Sequence, residues 1–143
     1  MYACLECGET YEKWFLSKKD NNDFIICPKS NCAGGDVVEL DELIAPTIIL
    51  LNQKGYFTKY CCSGHWYENV CSPYIYFESG FEPVCEPPKD FTWEFIERDD
   101  GNTIIRAEYD GDKNDIIMKY HWVYWVNDNL YKWADNLPVK VDI

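Results

Sequence analysis

Positive charge is scarce in this chain. Lys and Arg number 13 against 25 Asp and Glu, a formal net charge of -12 over 143 residues. Proteins that grip duplex DNA or RNA neutralise phosphates with clustered Lys and Arg, so no duplex binding is expected. Long apolar runs are missing too. No stretch approaches the roughly twenty residues that cross a bilayer, and no membrane association is expected. No charged-then-apolar leader opens the chain, because Cys4 and Cys7 appear at once; the expected location is cytoplasmic. Glycine-rich phosphate loops, serine-hydrolase elbows, internal repeats and low-complexity tracts are likewise absent, and histidine is limited to two residues. The common signatures of nucleotide hydrolysis and serine catalysis are thereby lacking.

Aromatic residues and cysteines are plentiful instead. Phe, Trp and Tyr make up 17% of the chain, with six Trp and eleven Tyr, and the 47% hydrophobic content is that of a globular protein. Aromatic rings fill cores and also make flat walls for planar ligands. The acidity suits solubility first, and would also suit repelling or imitating nucleic acid. The length allows one modest domain and a small appendage. Eight cysteines in a reducing compartment point to metal binding or reactivity before disulfides. In a secreted protein the same even count would permit bridges.

The cysteines at the start have a recognisable layout. Cys4 and Cys7 are separated by two residues, Cys27 and Cys32 by four, and candidate strands at 10–16 and 24–26 lie between the pairs around a polar turn at 17–23. Two intervening residues let one tight turn present two thiolates to one ion, and zinc takes four such ligands in a tetrahedron. The spacing predicts a zinc ribbon over residues 1–40, with a structural Zn2+ on Cys4, Cys7, Cys27 and Cys32. A ribbon this small has little core, so the metal would supply folding energy. Free thiols or disulfides are the competing readings.

Residues 41–143 read as a second unit. Asp41 is placed to cap a helix running to about Lys54, or starting only at Pro46. Ile44, Ile48 and Leu51 share one face, and Gly55 is a left-handed stop. Strands are expected at 56–62, 73–77, 91–97 and 103–109, with a proline-broken link at Pro83, Pro87 and Pro88 and a hairpin turn at 99–102. Ile116, Tyr120, Val123, Val126, Leu130, Trp133 and Leu137 step by three and four, which predicts a helix over 115–137. Its aromatic and β-branched content also allows a strand at 116–126. The fold class is therefore α+β: an N-terminal zinc ribbon packed on a small mixed α/β domain with a long C-terminal helix.

Chemistry concentrates a second time at Tyr60-Cys61-Cys62-Ser63-Gly64-His65, where a strand must turn. Small residues there expose backbone N–H groups that hold phosphate or carboxylate. Three readings stand. The first is a ligand-binding loop of Cys62, Ser63, Gly64 and His65, with Trp66, Tyr74 and Tyr76 as a stacking wall. The second is another zinc site of Cys62, His65, Cys71 and Cys85. The third is a turn with buried thiols. A catalytic pairing of Cys61 or Cys62 with His65 or His121 lacks an evident orienting carboxylate, so no catalytic residue is assigned. Glu94, Glu97, Arg106 and Glu108 read as solvent-facing residues of a hairpin, and His121 as a surface residue.

The stretches Val38 to Pro46, Leu51 to Tyr56 and Cys61 to His65, followed by Tyr74-Ile75-Tyr76-Phe77, resemble uncharacterised small zinc-ribbon proteins of firmicute bacteria and their phages. The helix, aromatic strand and Cys62-Ser63-Gly64 loop are similar over a short span to the wybutosine-tRNA methylase family, with His65 where that family has arginine and Cys61 where it has serine. The departure at His65, together with the acidity, argues against tRNA methylation. The expectation is a non-catalytic protein that binds a small polar or nucleotide-like ligand. A phage setting implies sequestration of a host signalling nucleotide. The alternative is an acidic inhibitor or adaptor on a host protein; a protein partner and homo-oligomerisation both remain open readings.

Overall fold

The computed structural model describes residues 1–12, 27–29, 32, 37–96 and 102–140. They form an α+β structure of two antiparallel sheets and two helices. In the smaller sheet, β1 (Tyr2–Cys4) lies between β2 (Thr10–Tyr11) and β3 (Val37–Glu39), with Tyr2 opposite both Tyr11 and Glu39. The sequence reading has no strand at 2–4, because three residues are too short to show a period. Glu12 already lies outside β2, and residues 13–26, which carry the rest of the expected strands at 10–16 and 24–26 and the turn between them, lie outside the described residues.

The first helix, α1 (Ala45–Gln53), starts later than an Asp41 cap requires. Residues 42–44 form a turn, closed by the Ala45 N–H donating to the Asp41 carbonyl at 3.0 Å, and Pro46 stands in the first helical turn where its missing N–H has no helical partner to lose. Ile44 is the cap residue and offers no side-chain bond; the Asp41 carboxylate is engaged elsewhere. Ile44, Ile48 and Leu51 are buried as the spacing predicts. Gly55 follows at a φ of 93°, the left-handed conformation that lets the chain leave the helix.

The larger sheet runs in the order β4 (Thr58–Cys62), β5 (Tyr74–Phe77), β7 (Asn102–Arg106), β6 (Thr92–Ile96), every neighbour antiparallel. Residues 97–101, which carry most of the expected hairpin turn, lie outside the described residues. Alternation along β5 sets what each face does. Ile75 and Phe77 are buried, whereas Tyr74 and Tyr76 are half-buried on the other face. Register extends this across the sheet: Cys61, Ile75, Ile105 and Trp93 form one cross-strand row, and Cys62, Tyr74, Arg106 and Thr92 form the next. The first row joins the core under the helices and the second faces away.

The last element is helical throughout: α2 (Ile116–Asn136), whose N-cap Asp115 side chain accepts the Met118 N–H at 3.0 Å. Its buried residues are Lys119, Val123, Val126, Asn127, Leu130 and Ala134, while Ile116 is 53% exposed and Tyr120 39% exposed. The buried face is thus rotated from the one the apolar spacing predicts. Lys119 and Asn127 flank Val123 by one turn each way, and both find carbonyl partners in the loop after β4, so these two polar positions are covered while Ile116 and Tyr120 are left out.

The core joins Ile44, Ile48 and Leu51 of α1, Val126, Leu130 and Ala134 of α2, and Ile75, Phe77 and Ile105 of the sheet. Ala3 and Leu40 belong to the same core, so the small sheet packs directly onto the rest. Each of the larger side chains here, Ile, Leu, Val or Phe, contributes about 1.5–3 kcal/mol on burial.

Candidate metal centre and adjoining cleft

Two turns bring the first four cysteines together. The Gly8 N–H donates to the Cys4 carbonyl at 2.8 Å and the Cys4 N–H to the Glu9 carbonyl at 2.9 Å, while the Cys32 N–H closes the second turn onto Lys29 at 3.1 Å. The sulfurs of Cys4 and Cys32 lie 3.8 Å apart and those of Cys7 and Cys27 3.6 Å apart, with all four inside 4.8 Å of one another. A tetrahedron of metal–thiolate bonds of about 2.3 Å has edges of about 3.8 Å, whereas a disulfide bond is about 2.05 Å. The cysteines are spaced as ligands of one ion, and all eight in the chain are free thiols.

The surroundings of this cluster differ from sulfur to sulfur. Burial pushes the Cys4 thiol up to about 12. Burial also opposes ionisation of Cys27, but the Tyr11 hydroxyl at 3.1 Å and the Lys29 N–H hold its thiolate and bring it down to about 7. Lys29 in turn pairs with Glu9 at 2.7 Å, tying the two cysteine turns together at the surface. Four donors fill a tetrahedron, so this centre has no position left for a substrate.

On the far side of the larger sheet, the loop after β4 borders a cleft of about 450 Å3. Cys62, Gly64 and His65 form one wall, and Tyr74 and Arg106 of the cross-strand row form the floor. Glu68 and Glu108 add carboxylates. Gly64 is required here. Its φ is 90°, and a Cβ would stand 3.1 Å from the Pro73 Cδ. Arg106 lies with its guanidinium carbon 6.0 Å from the Tyr74 ring centre and pairs loosely with Glu94 at 3.6 Å. Its Nε is buried and finds no acceptor among the described residues.

The expected ligand residues separate in the structure. Cys62, Gly64, His65 and Tyr74 meet at the cleft. Ser63 is 5% exposed and turned inward: its N–H and hydroxyl each donate to the Asp41 carboxylate at 3.2 Å, and its carbonyl accepts from Asn127 at 2.9 Å. Trp66 packs edge-on against Tyr67 and Tyr120, and Tyr76 against Tyr60 and Tyr74, so neither ring forms a wall of this cleft. Arg106 and Glu108, read from sequence as solvent-facing, belong to the cleft. Glu97 lies outside the described residues, and His121 is exposed against Tyr120.

The second group of candidate metal ligands is also rearranged. Cys71 is buried against Tyr109 and Val123, and Cys85 is exposed on the proline-rich link. Among the described residues, Cys62 and His65 group instead with Asp41. Burial, with the nearby Asp41 and Glu68 carboxylates, raises the Cys62 thiol above its ordinary range, and burial pushes Cys61 up to about 12. Neither thiol has the lowered pKa of an activated nucleophile.

Two side chains of α2 hold the loop in place. The Lys119 ammonium, 2% exposed, donates to the Glu68 carbonyl at 2.9 Å, and the Asn127 carboxamide bonds Ser63. Both positions were invisible to sequence reasoning, since a polar residue on a helix is ordinarily read as solvent-facing. Comparison with protein-family models, with curated proteins and with solved structures returns no match.

Proposed function

We propose that this chain is a non-catalytic, zinc-stabilised protein that binds a small nucleotide-like ligand in the cleft beside the Cys62–His65 loop. The observation that carries the reading is Arg106, a half-buried cation beside an aromatic ring in the floor of the cleft. A phosphate or carboxylate would meet the accessible N–H groups of its guanidinium fork. The Tyr74 ring offers a flat surface for a base, and the cleft falls within the usual ligand range of about 300–1,000 Å3. Glu68 and Glu108 oppose a purely anionic ligand, but they accept hydrogen bonds from hydroxyl or amino groups. The cleft therefore suits a molecule with an anionic end and a donor-rich end.

Zinc is the metal we assign to Cys4, Cys7, Cys27 and Cys32, because four thiolates with no open position suit it and its role there would be structural. Eight free thiols support a reducing, cytoplasmic setting. On the resemblance read from the sequence to small phage zinc-ribbon proteins, sequestration of a host signalling nucleotide is the biological setting we favour. Calorimetric titration with nucleosides and their mono- and diphosphates tests the reading. Binding of the phosphorylated forms alone is expected, weakened about 10–100-fold by Arg106→Gln, the worth of a hydrogen bond to a charged group. Absence of heat across the panel, or unchanged binding by the variant, would overturn it.

A second reading, an acidic inhibitor or adaptor acting on a protein surface, is favoured by Tyr120, Tyr124, Trp125 and Tyr131, which are all exposed on α2 of a chain with net charge -12. Exposed aromatics within a charged rim are the residues that carry interface energy. Recovery of one lysate protein at low salt and its loss with Trp125→Ala would favour it over the first.

A further inference from the structure

The loop that borders the cleft has a property that anion binding does not use. The sulfur of Cys62 lies 3.5 Å from the Nε2 of His65, and both lie within 4.8 Å of an Asp41 carboxylate oxygen. These donors come from two places in the chain, the turn before α1 and the end of β4, brought together by the fold. Bonds of about 2.3 Å to sulfur and about 2.0–2.1 Å to imidazole, at the tetrahedral angle, set the two atoms about 3.5 Å apart. The observed spacing is that value.

Each donor is also oriented by a further partner. The Nδ1 of His65 faces the Tyr67 hydroxyl at 3.2 Å, which leaves Nε2 as the nitrogen turned to sulfur. The Gly64 N–H donates to the Cys62 sulfur at 3.4 Å. Ser63 donates twice to Oδ2 of Asp41. A metal-binding histidine held by its second nitrogen, and a ligating carboxylate held by hydrogen bonds, are the usual supports of a metal centre. A buried thiol in a plain turn has no need of them. The loop is itself clamped from behind by Lys119 and Asn127, so the donors do not depend on a mobile segment for their position.

The geometry points to a second metal site, on Asp41, Cys62 and His65, that takes a late first-row divalent cation such as zinc. Nitrogen, sulfur and oxygen donors together suit ions of that class over calcium or magnesium, which prefer oxygen alone. Three protein ligands leave one coordination position, and because Cys62 and His65 both line the cleft, that position is accessible to a water or to an oxygen donor of a cleft-bound molecule. The two centres thus differ in kind: the four-cysteine site is closed, and this one is open. The inference stands on the donors themselves and does not rest on the nucleotide reading.

Cobalt(II) is the probe that separates the two centres, since tetrahedral sulfur-only and mixed nitrogen–sulfur–oxygen sites differ in their thiolate charge-transfer intensity and ligand-field bands. The whole 143-residue chain, reduced and stripped by chelator, is expected to bind two cobalt ions. His65→Gln and Cys62→Ser are expected to lose one ion and keep the sulfur-rich spectrum; Asp41→Asn weakens the second ion, and Cys61→Ser keeps both. Near-ultraviolet circular dichroism checks that each variant retains its aromatic packing. A wild-type protein that takes up a single ion with the sulfur-only spectrum overturns the proposal, as does a folded His65→Gln protein that binds both.

Discussion

Replacing Asn127 should show how strongly α2 holds the loop after β4. Asn127 is 4% exposed, and its carboxamide donates to the Ser63 carbonyl at 2.9 Å and to the Val123 carbonyl at 2.8 Å. The Val123 carbonyl lies within the helix and can keep the backbone bond of the turn that follows it. The Ser63 carbonyl loses this donor in Asn127→Ala. Leaving such a buried group unpaired costs about 1–3 kcal/mol. The buried Oδ1 of Asn127 has no partner among the described residues, so its removal offsets part of the loss. With a urea dependence of about 1–3 kcal/mol per molar for a domain of this size, the unfolding midpoint should fall by about 1 M, read by Trp fluorescence. Asn127→Asp goes further, since it sets a carboxylate against a carbonyl. The introduced carboxyl is buried and faces an acceptor, so its folded pKa must rise above the unfolded value of about 3.9. Its contribution to stability is then fully present below about pH 4 and is lost as pH rises through the folded pKa. Asn127→Asp should therefore be closer to wild type in acid than at neutral pH. A midpoint for Asn127→Ala within about 0.2 M of wild type, or an Asn127→Asp deficit that grows on acidification, would refute the reasoning.

Leu130→Ala, at a fully buried position, should destabilise by about 2–5 kcal/mol. Ile116→Gln should stay within about 0.5 kcal/mol, despite replacing an apolar residue, because Ile116 is exposed; thermal unfolding compares them. Gly64→Ala should cost about 1–2 kcal/mol for its left-handed backbone alone, with a further penalty for crowding Pro73, and unfolding midpoints measure it. Thiol alkylation followed by mass spectrometry should modify exposed Cys85 well before Cys61 at pH 7–8, because burial pushes Cys61 up to about 12 and leaves little thiolate there. Faster labelling at Cys61 would contradict its placement in the row facing the core. If the four clustered cysteines hold a metal, stripping it with a strong chelator from a His65→Gln chain, which lacks the second proposed centre, should lower the unfolding midpoint of the whole chain, since Ala3 and Leu40 share the main core; an unchanged midpoint would separate residues 1–40 from the rest.

Local chemistry was legible in the sequence where one short stretch suffices to specify it. Cys4 and Cys7 belong to one turn, and Gly55 ends a helix by its own backbone freedom; in each case the partners lie within a few residues. The apolar spacing of 115–137 likewise announced a helix. It could not say which way that helix faces, because burial of Lys119 and Asn127 depends on carbonyls more than fifty positions away in the chain. The cleft was harder still. Cys62, Tyr74 and Arg106 share a row only because β4, β5 and β7 pair in one particular register, and a slip of one residue would have turned each to the other face. Asp41 shows the same limit. Its sequence context suggested a helix cap, yet the fold offered its carboxylate the N–H and hydroxyl of Ser63, and set it beside Cys62 and His65. What the sequence by itself determined were the residue types and the local turns that hold them. Which of those residues meet, and therefore what they can bind, was decided by strand register and helix rotation, which follow from packing of the whole core.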